Sequence, residues 1–187
     1  MGRRGTSRRD WVEAGQALLI EGGIDAVKLS RLTCALGVST GSFYHHFGSF
    51  DDYLTALAEF YGAEQARLPI REARSVVGDD AAALLREATH VFGTRSMRQL
   101  NVAMRAWAQS DSRAHAAVQR YDEILMAELD ATFLALGYDE LAAKARTLVM
   151  MGLATVDLDR DRLDPGFRER WFYIRDELML PTDAASA

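Results

Sequence analysis

Cysteine occurs once in these 187 residues, at Cys34, so an internal disulfide is impossible and a reducing cytoplasm is the expected compartment. Proline occurs three times, and no recurring alternation of Val, Ile and Thr marks out strands. The expectation is an all-α protein. No run approaches the ~18 consecutive apolar residues that would suggest a membrane span. The N-terminus is rich in arginine but lacks the apolar stretch of a secretory signal. H-E-x-x-H, paired cysteines and G-x-x-x-x-G-K-[ST] are all missing. His45-His46 and Asp51-Asp52 lie close in sequence, but neighbouring helical residues point about 100° apart and cannot chelate together. His90 and His115 have no recognisable nucleophile or acidic partner, and Cys34 has only Arg31 near it to activate a thiol. No catalytic residue, cofactor or metal site is therefore expected, and an enzyme is the disfavoured reading.

What is present is 49% apolar and 26% charged, the balance of a folded soluble chain, with a net charge of −5. That charge is unevenly divided. Six basic residues against four acidic ones leave the first 50 residues at +2, and the remainder carries −7. A basic head on an acidic body keeps any phosphate-attracting field local. Four arginines and no acid fall in the first nine residues, which suits an arm that tracks a nucleic-acid backbone, or a solvated terminus.

The most specific stretch runs from Leu29 to Leu54. Leu29, Leu32 and Leu36 share a helical face, Thr33 widens it, and Arg31 and Cys34 should point outward. Gly37 stands where a helix end needs a left-handed residue, and Val38 should pack inward to fix the angle to the next helix. Ser39 is a good N-cap for a second helix over Thr40 to His46. Two short helices joined this way read as a helix-turn-helix, whose second helix lies in the major groove of DNA. On that helix Thr40 and Ser42 suit phosphates or base edges, and Gly41 permits close backbone approach. Tyr44 and His45 offer donors, while Phe43 and Phe47 should anchor inward. Pattern alone leaves an ordinary αα-hairpin with aromatic core residues open.

Gly37-Val38-Ser39, Gly41, Phe43-Tyr44, His46-Phe47, Ser49 and Leu54 together resemble the DNA-binding signature of TetR-type transcriptional regulators. Gly23 and Leu32-Thr33 also fall where that family carries a glycine and an Ile-Ala pair. The resemblance covers roughly residues 7 to 54 and implies that Thr40, Gly41, Ser42, Tyr44 and His45 face the DNA. With Lys28, Ser30, Arg31 and Ser39, they form the candidate contact set. Two departures stand out. The family commonly has a phosphate-contacting lysine where Phe50 stands, and Thr or Ser where Lys28 stands. Lys28 offers a phosphate contact from its new position, but Phe50 cannot. An exposed Phe50 would instead suit a protein contact, which keeps alive a helical adaptor that no longer binds DNA.

Two Ser-x-x-Asp capping boxes, Ser7 to Asp10 and Ser49 to Asp52, open helices. The first should run to Gly22-Gly23, with Trp11, Ala14 and Leu18 covering the helix-turn-helix. The second should connect head to body through Tyr53, Leu54, Leu57, Phe60 and Tyr61 and stop at Pro69. Further helices are expected at Asp80–Gly93, Arg95–Gln109, Ala114–Leu136, Glu140–Leu158 and Phe167–Leu180. The expected domains are a DNA-binding head, 1–49, and a ligand-binding and dimerisation body, 50–187. The resemblance implies a homodimer through the last two helices. Leu148, Met151 and Thr155, and then Trp171, Ile174 and Leu178, form stripes that agree with it. It also implies a small-molecule effector, for which Met97, Met104, Trp107, Tyr121, Met126, Phe133 and Met150 are the candidate pocket lining, with Phe92 beside them. Methionines adapt to varied ligands, and buried Trp or Tyr keeps a polar tip.

Overall fold

The computed structural model describes residues 6–92, 95–155, 170 and 173–181. Among the described residues every regular element is helical, as expected, and no helix is long and apolar enough to cross a membrane. The chain divides into two compact units. One holds the residues up to Gln65 together with Gln99–Tyr121, and the other holds Ala66–Arg98 and the residues from Asp122 onward. The head expected at 1–49 thus lies inside the first unit, which extends beyond it.

In the first unit, α1 (Arg8–Gly22) opens with the full capping box. The Asp10 amide donates to the Ser7 hydroxyl at 3.2 Å, and the Ser7 amide donates to the Asp10 carboxylate at 2.7 Å. A 3-10 turn (Ile24–Ala26) leads to α2 (Leu29–Leu36), α3 (Thr40–His46) and α4 (Phe50–Phe60). Trp11, Leu19, Leu32, Phe43, Tyr53 and Leu57 are fully buried and form the centre of this unit. The Phe43 ring lies 5.2–5.6 Å from Trp11, Phe47 and Tyr53, mostly edge-on, the geometry that aromatic quadrupoles favour. The Tyr53 hydroxyl donates to the Trp11 carbonyl at 3.0 Å and ties α4 to α1. Of the second capping box only half forms, the Asp52 amide donating to the Ser49 hydroxyl at 3.0 Å.

Pro69 does not stop the connecting helix, which corrects the sequence reading. α4 passes through a π-helical turn (Tyr61–Gln65) directly into α5 (Ala66–Val77), with Pro69 buried inside it. Proline lacks the N–H that the Gln65 carbonyl would accept, and its ring crowds that carbonyl. The wide turn ends at Gln65, so the helix is already loosened where the proline requires it. The helix stops instead at Gly78, whose φ of 68° is open to glycine.

The second unit contains α5 and α6 (Ala81–Phe92). α7 (Arg95–Trp107) and α8 (Ser112–Ala135) each contribute to both units, while α9 (Glu140–Thr155) belongs to the second. Asp80 caps α6, accepting from the Ala82 and Ala83 amides at 2.9 and 3.0 Å. Leu85, Phe133, Ala143, Met150, Met179 and Leu180 form its core. Of the expected helix Phe167–Leu180, a π-helical turn (Ile174–Met179) is seen. Trp171, like Arg3 and Arg4 of the basic arm, lies outside the described residues.

Candidate nucleic-acid interface

The α2–α3 turn is built as its residues dictate. Gly37 takes φ 63° and ψ 36°, the left-handed conformation that costs a Cβ-bearing residue energy. Its amide donates to the Cys34 carbonyl at 3.2 Å, and the Val38 amide to the Thr33 carbonyl at 3.1 Å, closing the end of α2. Ser39 is the N-cap residue of α3, but its hydroxyl makes no capping bond. Its carbonyl instead accepts from the Ser42 amide at 3.0 Å, so the expected side-chain cap is absent.

α3 has two distinct faces. Phe43 and, just past its end, Phe47 are buried, while Thr40, Gly41, Tyr44 and His45 are exposed and Ser42 is half-buried. The exposed residues fall at i, i+1, i+4 and i+5, one side of the helix. Tyr44 is 56% exposed for a large aromatic, and its ring leans edge-on against Phe43 at 5.3 Å. Phe43 thus fixes the helix from within while the polar side stays open. Ser39 is exposed just ahead of Thr40.

At the start of α2, Lys28 and Ser30 are exposed, and Lys28 occupies the N-cap position without a side-chain bond. Arg31 points outward as expected but is engaged. Its Nη2 lies 2.7 and 2.8 Å from the two carboxylate oxygens of Glu21 on α1. Sequence reasoning missed this partner because the two residues belong to different helices. Phe50 is half-buried, its ring stacked on Tyr53 at 5.6 Å and lying 6.2 Å from Phe43. The residue in the lysine's place therefore extends the aromatic cluster of the head.

Of the expected pocket lining, Met104, Trp107 and Tyr121 are buried in the first unit, where Tyr121 stacks on Tyr61 with ring centroids 4.5 Å apart. Phe133 and Met150 share the core of the second unit, in which Met97 is half-buried and Met126 is 42% exposed. Phe92 lies where side chains are not described. A groove of about 200 Å³ does exist in the first unit, lined by Thr55, Ala58, Gly62, Arg113, Ala117 and Arg120 among others, and it includes none of the expected residues. Along it, Gly62 meets the Ala117 backbone so closely that a Cβ would sit 2.9 Å from the carbonyl oxygen. Arg113 donates to the Asp51 carboxylate at 2.6 Å and to both Asp111 oxygens at 3.1 and 2.9 Å.

A three-helix head with a helix-turn-helix, set on an otherwise helical chain, defines a class of DNA-binding regulator folds. Residues 12–57 match the family model described as bacterial regulatory proteins, tetR family. No curated protein matches the chain. Among solved structures, a TetR transcriptional regulator from Legionella pneumophila is 15% identical, with a TM-score of 0.77, over 95% of this chain and 99% of its own. A transcriptional regulator from Rhodococcus sp. Rha1 is 17% identical, with a TM-score of 0.63 over 80% of each chain. The multidrug binding protein EbrR, solved with malachite green, is 18% identical, with a TM-score of 0.55 over 78% of this chain and 83% of its own. Residues 12–57 are thus a TetR-type head, and the chain has the fold of TetR-family transcriptional regulators.

Proposed function

We propose that this protein is a sequence-specific transcriptional regulator that represses from a palindromic operator and is released by a small apolar or amphipathic ligand. The observation that carries the reading is α3, with Phe43 and Phe47 held inward while Thr40, Gly41, Tyr44 and His45 stay open on one side. Laid in a major groove, that side brings hydroxyl, phenol and imidazole groups to phosphates and base edges, with Gly41 allowing the backbone close. Ser39 and Ser42 flank it, and Lys28, Ser30 and Arg31 supply backbone contacts from the start of α2.

Two such heads on a homodimer would reach half-sites about one DNA turn, ~34 Å, apart. Support for a dimer comes from α9, where Leu141 is 81% exposed, Leu148 69% and Val149 47%, with exposed Ala145 in the same stripe. A second copy of the chain, docked through the last two helices, would cover these side chains. The effector reading draws support from the core of the second unit. Thr147 is buried there with its hydroxyl unpartnered, on the same face of α9 as Ala143 and Met150. A buried hydroxyl without a partner is costly, and an amphipathic ligand entering beside Met150 and Phe133 would relieve it. EbrR, similar in fold, was solved with malachite green bound.

Release would act through the connecting helix. Its π-turn (Tyr61–Gln65) departs from regular α-helical bonding and Pro69 has no N–H to donate, and bending there would carry the heads away from half-site spacing. A coupling of about 1–3 kcal/mol changes occupancy several-fold to a hundredfold. The test is selection of duplexes from fragmented source DNA, followed by anisotropy titration at several salt concentrations. Enrichment of a palindrome bound tightly and salt-sensitively supports the reading. No enrichment, with weak binding even at low salt, rejects it in favour of an adaptor.

A further inference from the structure

Each described arginine of the head is engaged by the protein itself. Arg8 lies over the Phe47 ring at 5.0 Å, and Arg9 pairs with Glu13 at 2.7 Å. Arg31 pairs with Glu21, while Lys28 has no carboxylate partner among the described residues. The Arg31–Glu21 pair is the informative one. Glu21 sits in the last turn of α1, where the helix dipole disfavours an acid, so its own helix gives no reason for it. Its partner is across the turn, in the first turn of α2, beside exposed Lys28 and Ser30. A carboxylate presents the same paired oxygens that a phosphate does.

We propose that Glu21 is an internal competitor for DNA, a carboxylate that holds Arg31 in the free protein and must yield it when a backbone phosphate docks. The inference rests on the DNA-binding reading and adds to it a residue that sets affinity. The geometry suits exchange. Only Nη2 engages the carboxylate, rather than the two-nitrogen fork of the strongest guanidinium pairs, and the two side chains are 40% and 63% exposed. Solvent and phosphate can therefore displace Glu21 without opening the core. The effect is to lower affinity for any duplex, because the contact concerned is to backbone and not to bases.

The test uses the full chain and a mixed-sequence duplex of about 30 base pairs, titrated by anisotropy between about 50 and 200 mM salt. Wild type, Glu21→Gln, Arg31→Gln and the double variant are compared. Glu21→Gln is expected to bind several-fold tighter, with the slope of log affinity against log salt about unchanged because Arg31 reaches the same phosphate in both, while Arg31→Gln flattens that slope by about one unit. The gain in affinity should vanish in the Arg31→Gln background. Unchanged binding by Glu21→Gln overturns the inference. So does a gain that persists without Arg31, since Glu21 would then act only by its own charge. If neither wild type nor Glu21→Gln binds duplex at the lowest salt, the DNA-binding reading fails and takes the inference with it.

Discussion

Gly15 and Tyr53 show how a single position can organise the head. A Cβ on Gly15 would collide with the Tyr53 hydroxyl, the group that ties α4 to the Trp11 carbonyl. Gly15→Ala is therefore expected to destabilise the protein by about 1–3 kcal/mol, read as a lower midpoint of thermal unfolding. Adding Tyr53→Phe should recover part of the loss, because the colliding oxygen is gone. Burial pushes the Tyr53 phenol well above its usual 10.0, so the neutral form belongs to the folded state. A raised acid contributes stability that is complete below the unfolded value and declines as pH climbs above it. Thermal midpoints measured from about pH 9 to 11 should fall more steeply in wild type than in Tyr53→Phe. Nothing in the sequence near Gly15 signals this role, because its partner belongs to another helix. At the interface, Lys28→Gln should weaken duplex binding uniformly across sequences and flatten the salt slope by about one unit. The exposed position of Lys28 was legible in the sequence because it depends only on where α2 begins.

Among the elements, the short ones of the head were legible and the long connecting one was not. Gly37 closes α2 and Phe43 anchors α3 through local chemistry, which a sequence displays directly. The Ser39 cap was misjudged because a backbone bond from Ser42 serves the start of α3 instead. Pro69 was misjudged because its effect depends on the turn before it, and the π-turn that accommodates it has no sequence mark. That helix should betray its weak point in hydrogen exchange. Amides from about Ala66 to Leu68 and at Ile70 are expected to exchange faster than those around Ala56–Ala58, and equal protection along the helix would contradict a joint there. Gly62 lies in the same turn, against the Ala117 backbone. Gly62→Ala should force this turn and the first half of α8 apart and cost about 1–3 kcal/mol, because a backbone carbonyl cannot yield as a flexible side chain would.

For the whole molecule, the fold class and the TetR-type head followed from sequence. The residues expected to line an effector site fall in two units, and composition carries no information about which side chains meet. Assembly is open to direct measurement. Leu148→Asp puts a charge into the exposed apolar stripe of α9, so it should leave the monomer fold intact and shift sedimentation equilibrium from dimer to monomer. It should also reduce duplex affinity steeply, because one head alone binds a half-site. A dimer that persists through Leu148→Asp would place the interface elsewhere.

The proposed regulator reads the major groove through α3 in two symmetric copies. Methylation protection on the selected duplex tests it most directly, since guanine N7 lies in the major groove and adenine N3 in the minor. N7 protection is expected in two inverted half-sites with centres about 10 base pairs apart, lost in a Thr40→Ala Tyr44→Phe variant that still folds. Protection confined to adenine N3, or a pattern unchanged by that variant, would contradict it.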